Sequence, residues 1–281
     1  MALIPPSNTQ EIINRIYAAI HKEKQDKELY LGRLGSSSIG NECPRATWLS
    51  WRAFAKSEFE GRMLRLFETG HLQEARIVVD LKRAGFTVFE VDAEGNQFQY
   101  IDETGHFTTK LDGVIKGVPG SSDKPHILEI KTHNKNSFAG VVKHGVQKSK
   151  PIHYAQVQSS MSLSGIDRTL YVALCKDDEQ FYVERIKEDK TEQKLIGRRI
   201  VSLVNATIRP ARINEDIESF ACKFCDMKEV CFDKVAPLRN CRTCRNCFAA
   251  EAGSWECRLG APRIIDKDMQ RSGCGEYEVI C

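Results

Sequence analysis

The chain has 281 residues, enough for one large domain or one domain with a small appendage. Its 41% hydrophobic and 28% charged content is ordinary for a globular protein. A net charge of +3 excludes a polycation, so any contact with a polyanion must come from a local patch. Met1–Gln10 lacks the basic start and apolar core of an export signal, and no apolar run approaches the roughly 20 residues of a membrane helix. The expectation is a cytoplasmic protein without membrane contact, in a compartment where thiols stay reduced. Eleven cysteines there read as metal ligands rather than disulfides. Cys175, inside the TLYVALC run, reads as a buried structural thiol.

In chain order, Ile12, Ile13, Ile16, Tyr17 and Ile20 share one side of a helix expected over 9–26. The Gly/Ser-rich stretch 32–40 reads as a loop. Cys43-Pro44 opens a second helix carrying Trp48, Leu49 and Trp51, with proline at an early position. A long helix follows over 61–84, ended by Gly85. Its row Leu64, Phe67, His71, Glu74, Val78 and Leu81 steps by three and four, so a histidine and a glutamate interrupt a core-facing stripe. Buried there, they need each other or a metal. Strands are expected at 86–91, 97–101, 107–116 and 126–132, helices at 137–144 and 151–163, strands at 169–175 and 180–186, and a helix over 190–208. This order predicts an α/β fold with a mixed central sheet flanked by helices. Residues 237–239 read as a linker between a domain of 1–236, with its core at about 36–235, and a cysteine-rich tail of 237–281.

Residues two apart on a strand point to one face, so Ile127, Glu129 and Lys131 share one side and Leu128 and Ile130 the other. Hairpin pairing through the PGSSDKP turn can bring Asp112 beside them. Two carboxylates hold a hard divalent cation such as Mg²⁺ or Mn²⁺, which offsets phosphate charge and acidifies an attacking water. Lys131 can orient that water or stabilise developing negative charge. A surface salt bridge on an edge strand is the competing reading of Glu129-Ile130-Lys131 by itself.

Asp112 with Glu129-Ile130-Lys131 resembles the PD-(D/E)xK nuclease pattern. Gly70-His71-x2-Glu74 resembles the first acidic motif of RecB-like and viral, lambda-exonuclease-like nucleases. The resemblance implies a PD-(D/E)xK nuclease fold. Asp112, Glu129 and Lys131 would be its catalytic residues, and Asp112, Glu129 and the Ile130 position would hold the metal, with His71 first and Glu74 second as the further ligand. Tyr154-Ala155-Gln156-Val157-Gln158 looks like the helix after the core in lambda-type exonucleases, which adds Gln156 to the catalytic set. The RecB-like Q-x3-Y motif is only partly met, since Ser160 stands where tyrosine is expected and Tyr154 is the spatial substitute.

Cys43, then Cys222, Cys225 and Cys231, bracket this core, and a metal centre joining them would tie its two ends together. Four thiolates suit an iron–sulfur cluster or structural zinc equally. The bracket resembles the iron–sulfur nucleases of the RecB-like group, including CRISPR-adaptation exonucleases, and that resemblance implies a [4Fe–4S] cluster. In the tail, Cys241, Cys244, Cys257 and Cys274 give C-x2-C-x12-C-x16-C, near the zinc-ribbon template for Zn²⁺. Cys247 and Cys281 remain spare or alternative ligands, and Trp255, Ile264, Ile265 and Tyr277 the expected small core.

From Lys131 to Lys150 the chain carries Lys131, His133, Lys135, Lys143, His144, Lys148 and Lys150 with no acid. Lys135, Lys143, Lys148, Lys150 and Tyr154 are the expected DNA contacts, with Arg198, Arg199, Arg209 and Arg212 as an extension. Together these features predict a metal-dependent deoxyribonuclease, an exonuclease on DNA ends or single strands. Similarity to phage and CRISPR-associated relatives implies DNA recombination or phage–host conflict, with a recombination- or CRISPR-related protein partner. The rivals are an endonuclease and a non-catalytic DNA- or partner-binding protein on a nuclease fold.

Overall fold

The structure, a computed structural model, describes residues 6–24 and 28–280. Helix α1 (Pro6–Lys24) carries the expected isoleucine side. Ile12, Ile13 and Ile16 nevertheless remain exposed, and among the described residues α1 leans chiefly on the long helix over 61–83. Positions 25 and 26 of that expected helix lie outside the described residues. The Gly/Ser stretch is not a loop. Leu34–Gly35 form strand β1 and Ser36–Ile39 one helical turn, α2. Leu34 and Ile39 anchor the stretch in the core, and the Ser36 hydroxyl accepts a hydrogen bond from buried Thr109. Helix α3 (Pro44–Trp51) starts as its proline predicts, with the Cys43 thiol capping it by accepting from the Ala46 N–H at 3.4 Å.

Helix α4 (Gly61–Arg83) has the expected length, but its apolar row enters the core only near the C-terminal end, at Ile77 and Val78. Phe67 is exposed and packs on Phe59, so His71 and Glu74 stand at the edge of the core rather than within it. The next strands are β2 (Thr87–Phe89), β3 (Gln99–Ile101), β4 (Phe107–Lys110) and β5 (Gly113–Lys116). The expected strand 107–116 is thus two strands in two sheets. β4 lies between β1 and β3, and after Lys110 the chain crosses at Leu111-Asp112 into the central sheet.

The central sheet is completed by β6 (His126–His133), β7 (Arg168–Cys175) and β8 (Phe181–Lys187), in the order β2-β5-β6-β7-β8. β6 and β7 run parallel and the other pairs antiparallel, which makes the sheet mixed. β6 is its middle strand. Leu128 and Ile130 pack toward Ile77 and Val78 of α4. Ile127 packs on the other face among residues of α5 (Lys135–Ser149) and α6 (Pro151–Ser164). Helix α5 breaks at Gly145, whose φ of +72° favours glycine, and the freed Val146 N–H donates to Glu184. Helix α7 (Lys190–Asn205) follows, with Asp189 capping its first amides.

The remaining elements are α8 (Lys228–Cys231), a small antiparallel sheet of β9 (Cys247–Ala249), β10 (Trp255–Cys257) and β11 (Arg263–Ile265), and α9 (Lys267–Ser272). Among the described residues this tail has no core of its own. Trp255, Cys244, Cys247, Ile265 and Ile280 form one cluster with Leu34, Ile39, Trp48, Trp51 and Phe54. The rings of Trp51 and Trp255 lie 5.0 Å apart. Residues 237–239 therefore divide no two cores, and the Leu238 N–H donates to the Phe54 carbonyl. Ile264, an expected core residue, is 58% exposed because it lies on the face of β11 opposite buried Ile265. Among the described residues, no helix is long and apolar enough to cross a membrane.

Candidate active site

The site forms where the β5–β6 hairpin meets α4 and α6. Pairing of Gly113 with Leu128 puts Asp112 one step beyond the ladder, and its Oδ2 accepts the Ile130 N–H at 2.8 Å. The sheet switch at Leu111-Asp112 frees this side chain to lie across β6. Glu129 and Lys131 stand side by side and form an ion pair at Glu129 Oε1. This is no edge-strand salt bridge, because β6 is central and Glu129 is fully buried. From α6, the Gln156 Nε2 donates to the same Oε1 at 2.8 Å. The other oxygen, Oε2, is buried without a hydrogen-bond partner. A buried, unsatisfied carboxylate oxygen beside further acids is the donor a hard cation requires.

The electrostatics agree with that geometry. Burial pushes the Glu129 carboxyl up to about 7, with Lys131 pulling down and Asp112 and Glu74 pushing up. Glu74 is also raised, by burial and then by Asp112. Burial alone would lower Lys131, but Glu129, Asp112 and Glu74 outweigh it and raise the ammonium. Glu74 is thus the α4 carboxylate that shares the field of the site. His71 is 78% exposed and stands one turn away, its Nδ1 3.6 Å from Glu74. Among the described residues, no three His, Cys, Asp or Glu side chains are drawn together tightly enough to hold a metal ion.

Glu129 gains affinity for a proton on folding between its ordinary 4.5 and about 7. The folded state then binds more protons than the unfolded one, so raising the pH through this window lowers stability. A divalent cation competes with that proton. Mg²⁺ or Mn²⁺ should therefore raise the melting temperature more at pH 8 than at pH 6. Equal shifts in thermal melts at the two pH values would place the cation elsewhere.

Tyr171 and His153, which sequence reasoning did not assign, lie behind the pair with His133, which it placed in the basic run. Tyr171 is paired with Glu129 in the β6–β7 register. Its hydroxyl meets His153 Nδ1 at 2.8 Å and His133 Nε2 at 3.2 Å. Burial first, then lysines including Lys131 and Lys150, lowers His133 to about 4 and His153 to about 3, so both rings are neutral at pH 7. His133 therefore belongs to the interior and not to the basic surface. Only its position on β6 carried a signal, two residues beyond Lys131. Tyr154 packs against the core and its hydroxyl donates to Asp189 at 3.4 Å, away from Glu129. Ser160 is buried against Thr109.

Lys135, Lys143 and Lys148 are exposed along α5, and Lys150 is half-buried at its end. Arg198 is exposed, but Arg199, Arg209 and Arg212 bind the carbonyls of Asn41, Ile280 and Cys231 and act as ties within the fold. Neutralising Lys135, Lys143 and Lys148 together should weaken DNA binding and lower its log–log salt slope by roughly 0.7–0.9 per lost phosphate contact. An unchanged slope in a titration at several salt concentrations would show that this face is not the one used.

Cys43, Cys222, Cys225 and Cys231 all line one cavity of about 360 Å³ between α3 and α8. Burial raises the Cys225 thiol, and Cys43 and Cys231 raise it further. In the tail, Cys241 is pushed up to about 11 by burial and then by Cys274, Cys244 and Cys257. Cys175 is buried in β7, as expected of a structural thiol. Cys281 lies outside the described residues.

No protein-family model matches the chain, and no curated protein sequence matches it. Among solved structures, the chain is similar to an alkaline exonuclease (LHK-Exo) from Laribacter hongkongensis, at 20% identity and a TM-score of 0.44, covering 67% of this chain and 89% of that one. It is similar to a phage related exonuclease from Haemophilus somnus 129PT at 16% identity and a TM-score of 0.45, over 62% of this chain and 93% of that one. A third structure, SSO0001, matches at 16% identity and a TM-score of 0.45, over 82% of this chain and 98% of that one.

Proposed function

We propose that the chain is a divalent-metal-dependent DNA nuclease, an exonuclease hydrolysing phosphodiester bonds at DNA ends or in single strands. The observation that carries this reading is the unsatisfied Oε2 of buried Glu129, set among Asp112, Glu74 and Lys131. Asp112, Glu129 and Glu74 would hold Mg²⁺ or Mn²⁺, with His71 next to Glu74. Ile130 would offer only its carbonyl, since its side chain packs on the opposite face. The bound cation would offset phosphate charge and acidify the attacking water. Gln156 holds one Glu129 oxygen and so aims the other. Lys131, a quarter exposed, donates to negative charge growing on the phosphate. The exposed lysines of α5 guide the backbone of DNA toward the strand end.

Labelled linear and covalently closed circular DNA, incubated with Mg²⁺ or Mn²⁺ and with a chelator control, tests the reading. Linear DNA should be degraded and the circle spared. Cleavage of the circle recasts the protein as an endonuclease. Binding without cleavage of either returns it to the non-catalytic class. Recombination or phage–host conflict, with a protein partner from such a pathway, is the setting this activity suits.

The cavity shared by Cys43, Cys222, Cys225 and Cys231 is proposed to hold a [4Fe–4S] cluster with a structural role. Its ligands come from both ends of the core, so the cluster would restrain the unfolded chain as a long crosslink does. Cys43→Ser should lose iron and lower the melting temperature, and Cys225→Ser should add little further. Full iron content in Cys43→Ser, by elemental analysis, would break this bracket. Zinc in place of iron would make it a structural zinc site. The tail cysteines around Cys241 are proposed to hold one further divalent metal, Zn²⁺.

A further inference from the structure

Phe220 and Phe224 are 82% and 77% exposed, while Cys222 between them is buried. The segment thus turns its rings to solvent. Tight turns fix it in that pose. The Cys222 and Lys223 N–H groups both donate to the Ser219 carbonyl, at 3.0 Å and 2.9 Å, and the Cys225 N–H donates to the Cys222 carbonyl at 2.9 Å. The rings meet edge to face, with centres 6.2 Å apart and planes at 87°. The Lys223 ammonium lies over both, 5.2 Å from the centre of Phe220 and 4.9 Å from that of Phe224. Among the described residues, Lys223 forms no ion pair with an acidic side chain. Two adjacent rings held out of the core around an unpaired cation mark a contact surface.

A groove joins this surface to the candidate active site. Phe224 and Ala221 line the cavity between α3 and α8. Ala221 also lines a second cavity, of about 460 Å³, that reaches Lys150 and His153 at the start of α6. The two cavities share Asn41, Cys43, Ile213 and Ala221 as walls, so they adjoin. His153 and Gln156 are three residues apart on α6, on one face of the helix and about 4.5 Å along its axis. Gln156 holds Glu129. The groove therefore begins about one helical turn from Glu129 and ends at the two rings. Its charged lining is mixed, with Lys150, Arg212 and Lys228 against Glu42 and Asp226. Arg212 and Lys228 are already paired with Glu215 and Glu229. Such a groove attracts a phosphate backbone only weakly, and what it offers a ligand is apolar wall and aromatic ring.

We propose that Phe220 and Phe224 form a base-stacking platform for single-stranded DNA, with Lys223 on an adjoining phosphate, and that the groove leads the strand from there toward Glu129. This rests on the nuclease reading and names the form of its substrate. The exposure of the rings leaves a face of each open beside the ammonium. A nucleotide matches that pairing, a flat base with an anion one linkage away. A duplex hides its base faces within its own stack, so only an unpaired strand can use the rings. Every base has such a face, so the platform is indifferent to sequence. It complements the exposed lysines of α5, which act on backbone charge alone.

Binding of labelled oligothymidine and of a blunt duplex to the full chain tests this, in a Glu129→Gln parent so that neither is cut. Phe220→Ala with Phe224→Ala should bind oligothymidine about thirtyfold more weakly than the parent, one stacked base being lost per ring. Its duplex affinity and melting temperature should match the parent's. The salt slope of oligothymidine binding should also stay the parent's, since no phosphate contact is lost. Leucine at both positions, which keeps apolar bulk without a ring, should be as weak as alanine, and tryptophan at both should restore binding. Parental oligothymidine affinity in the alanine pair, or an equal loss on the duplex, overturns the inference alone. Recovery by leucine overturns it too and assigns the rings to an apolar protein partner. A parent that binds neither DNA overturns the nuclease reading and this inference with it.

Discussion

Glu129→Gln is expected to lower DNA cleavage by about 10³-fold while leaving the metal-free protein at least as stable at pH 8 as the wild type. The two halves have one cause. Glu129 is a buried carboxylate whose charged form is disfavoured by desolvation, and whose Oε2 has no hydrogen-bond partner. Glutamine keeps the shape and the acceptor for Gln156 but removes the charge, so folding loses a disfavoured buried charge and the proposed cation site loses a carboxylate. Asp112→Ala should match it in cleavage but not in stability. It strips the Ile130 N–H of its acceptor, a loss of about 1–3 kcal/mol for a buried donor. Steady-state cleavage and chemical denaturation on both variants check the pair. A Glu129→Gln enzyme of wild-type rate would sink the active-site assignment.

Removal of the chain after Pro237 is expected to abolish folding rather than leave an active core. Trp255, Ile265 and Ile280 fill the same cluster as Trp48, Trp51 and Phe54, so truncation opens the N-terminal core to water. It also strips both Arg52 acceptors and the Ala250 carbonyl that meets His106 Nε2. A milder version is Trp255→Ala, which should lower stability by about 3–5 kcal/mol. That is a large part of the about 5–15 kcal/mol that holds a typical domain folded. Cooperative melting of the truncated protein at the wild-type temperature would show that the shared cluster contributes little.

Most of this architecture was legible where periodicity is local. The long α4, the α3 start at Cys43-Pro44 and the hairpin of the active strand follow from spacing and turn residues. Glu129, Lys131 and Asp112 share a site because alternation and hairpin register are short-range rules. What the sequence hid depends on distant partners. The segment 32–40 orders only because Thr109 and the core receive it. The α4 row looked core-facing throughout, yet the sheet covers only its last turns, and that leaves His71 outside. The expected strand 107–116 is broken at Asp112 by a change of sheet that composition does not mark. Tyr171, His133 and His153 meet across two strands and a helix, a triangle with no spacing signature. The tail looked self-contained because cysteine spacing is periodic and its aromatic partners lie elsewhere in the chain.

The hydrogen bond from Arg52 to the Arg242 carbonyl spans 190 residues of chain. During synthesis the α3 segment leaves the ribosome long before its partner exists. At about 5–20 residues per second, the interval is roughly 10–40 s. Through that time Trp48, Trp51 and Phe54 have none of the tail side chains against which they finally pack. The nascent chain thus presents an uncovered aromatic surface that chaperones bind and that aggregation exploits. Closure of the cluster around Trp255 is a late, long-range event, and the rate of translation over the final third sets how long the protein remains vulnerable.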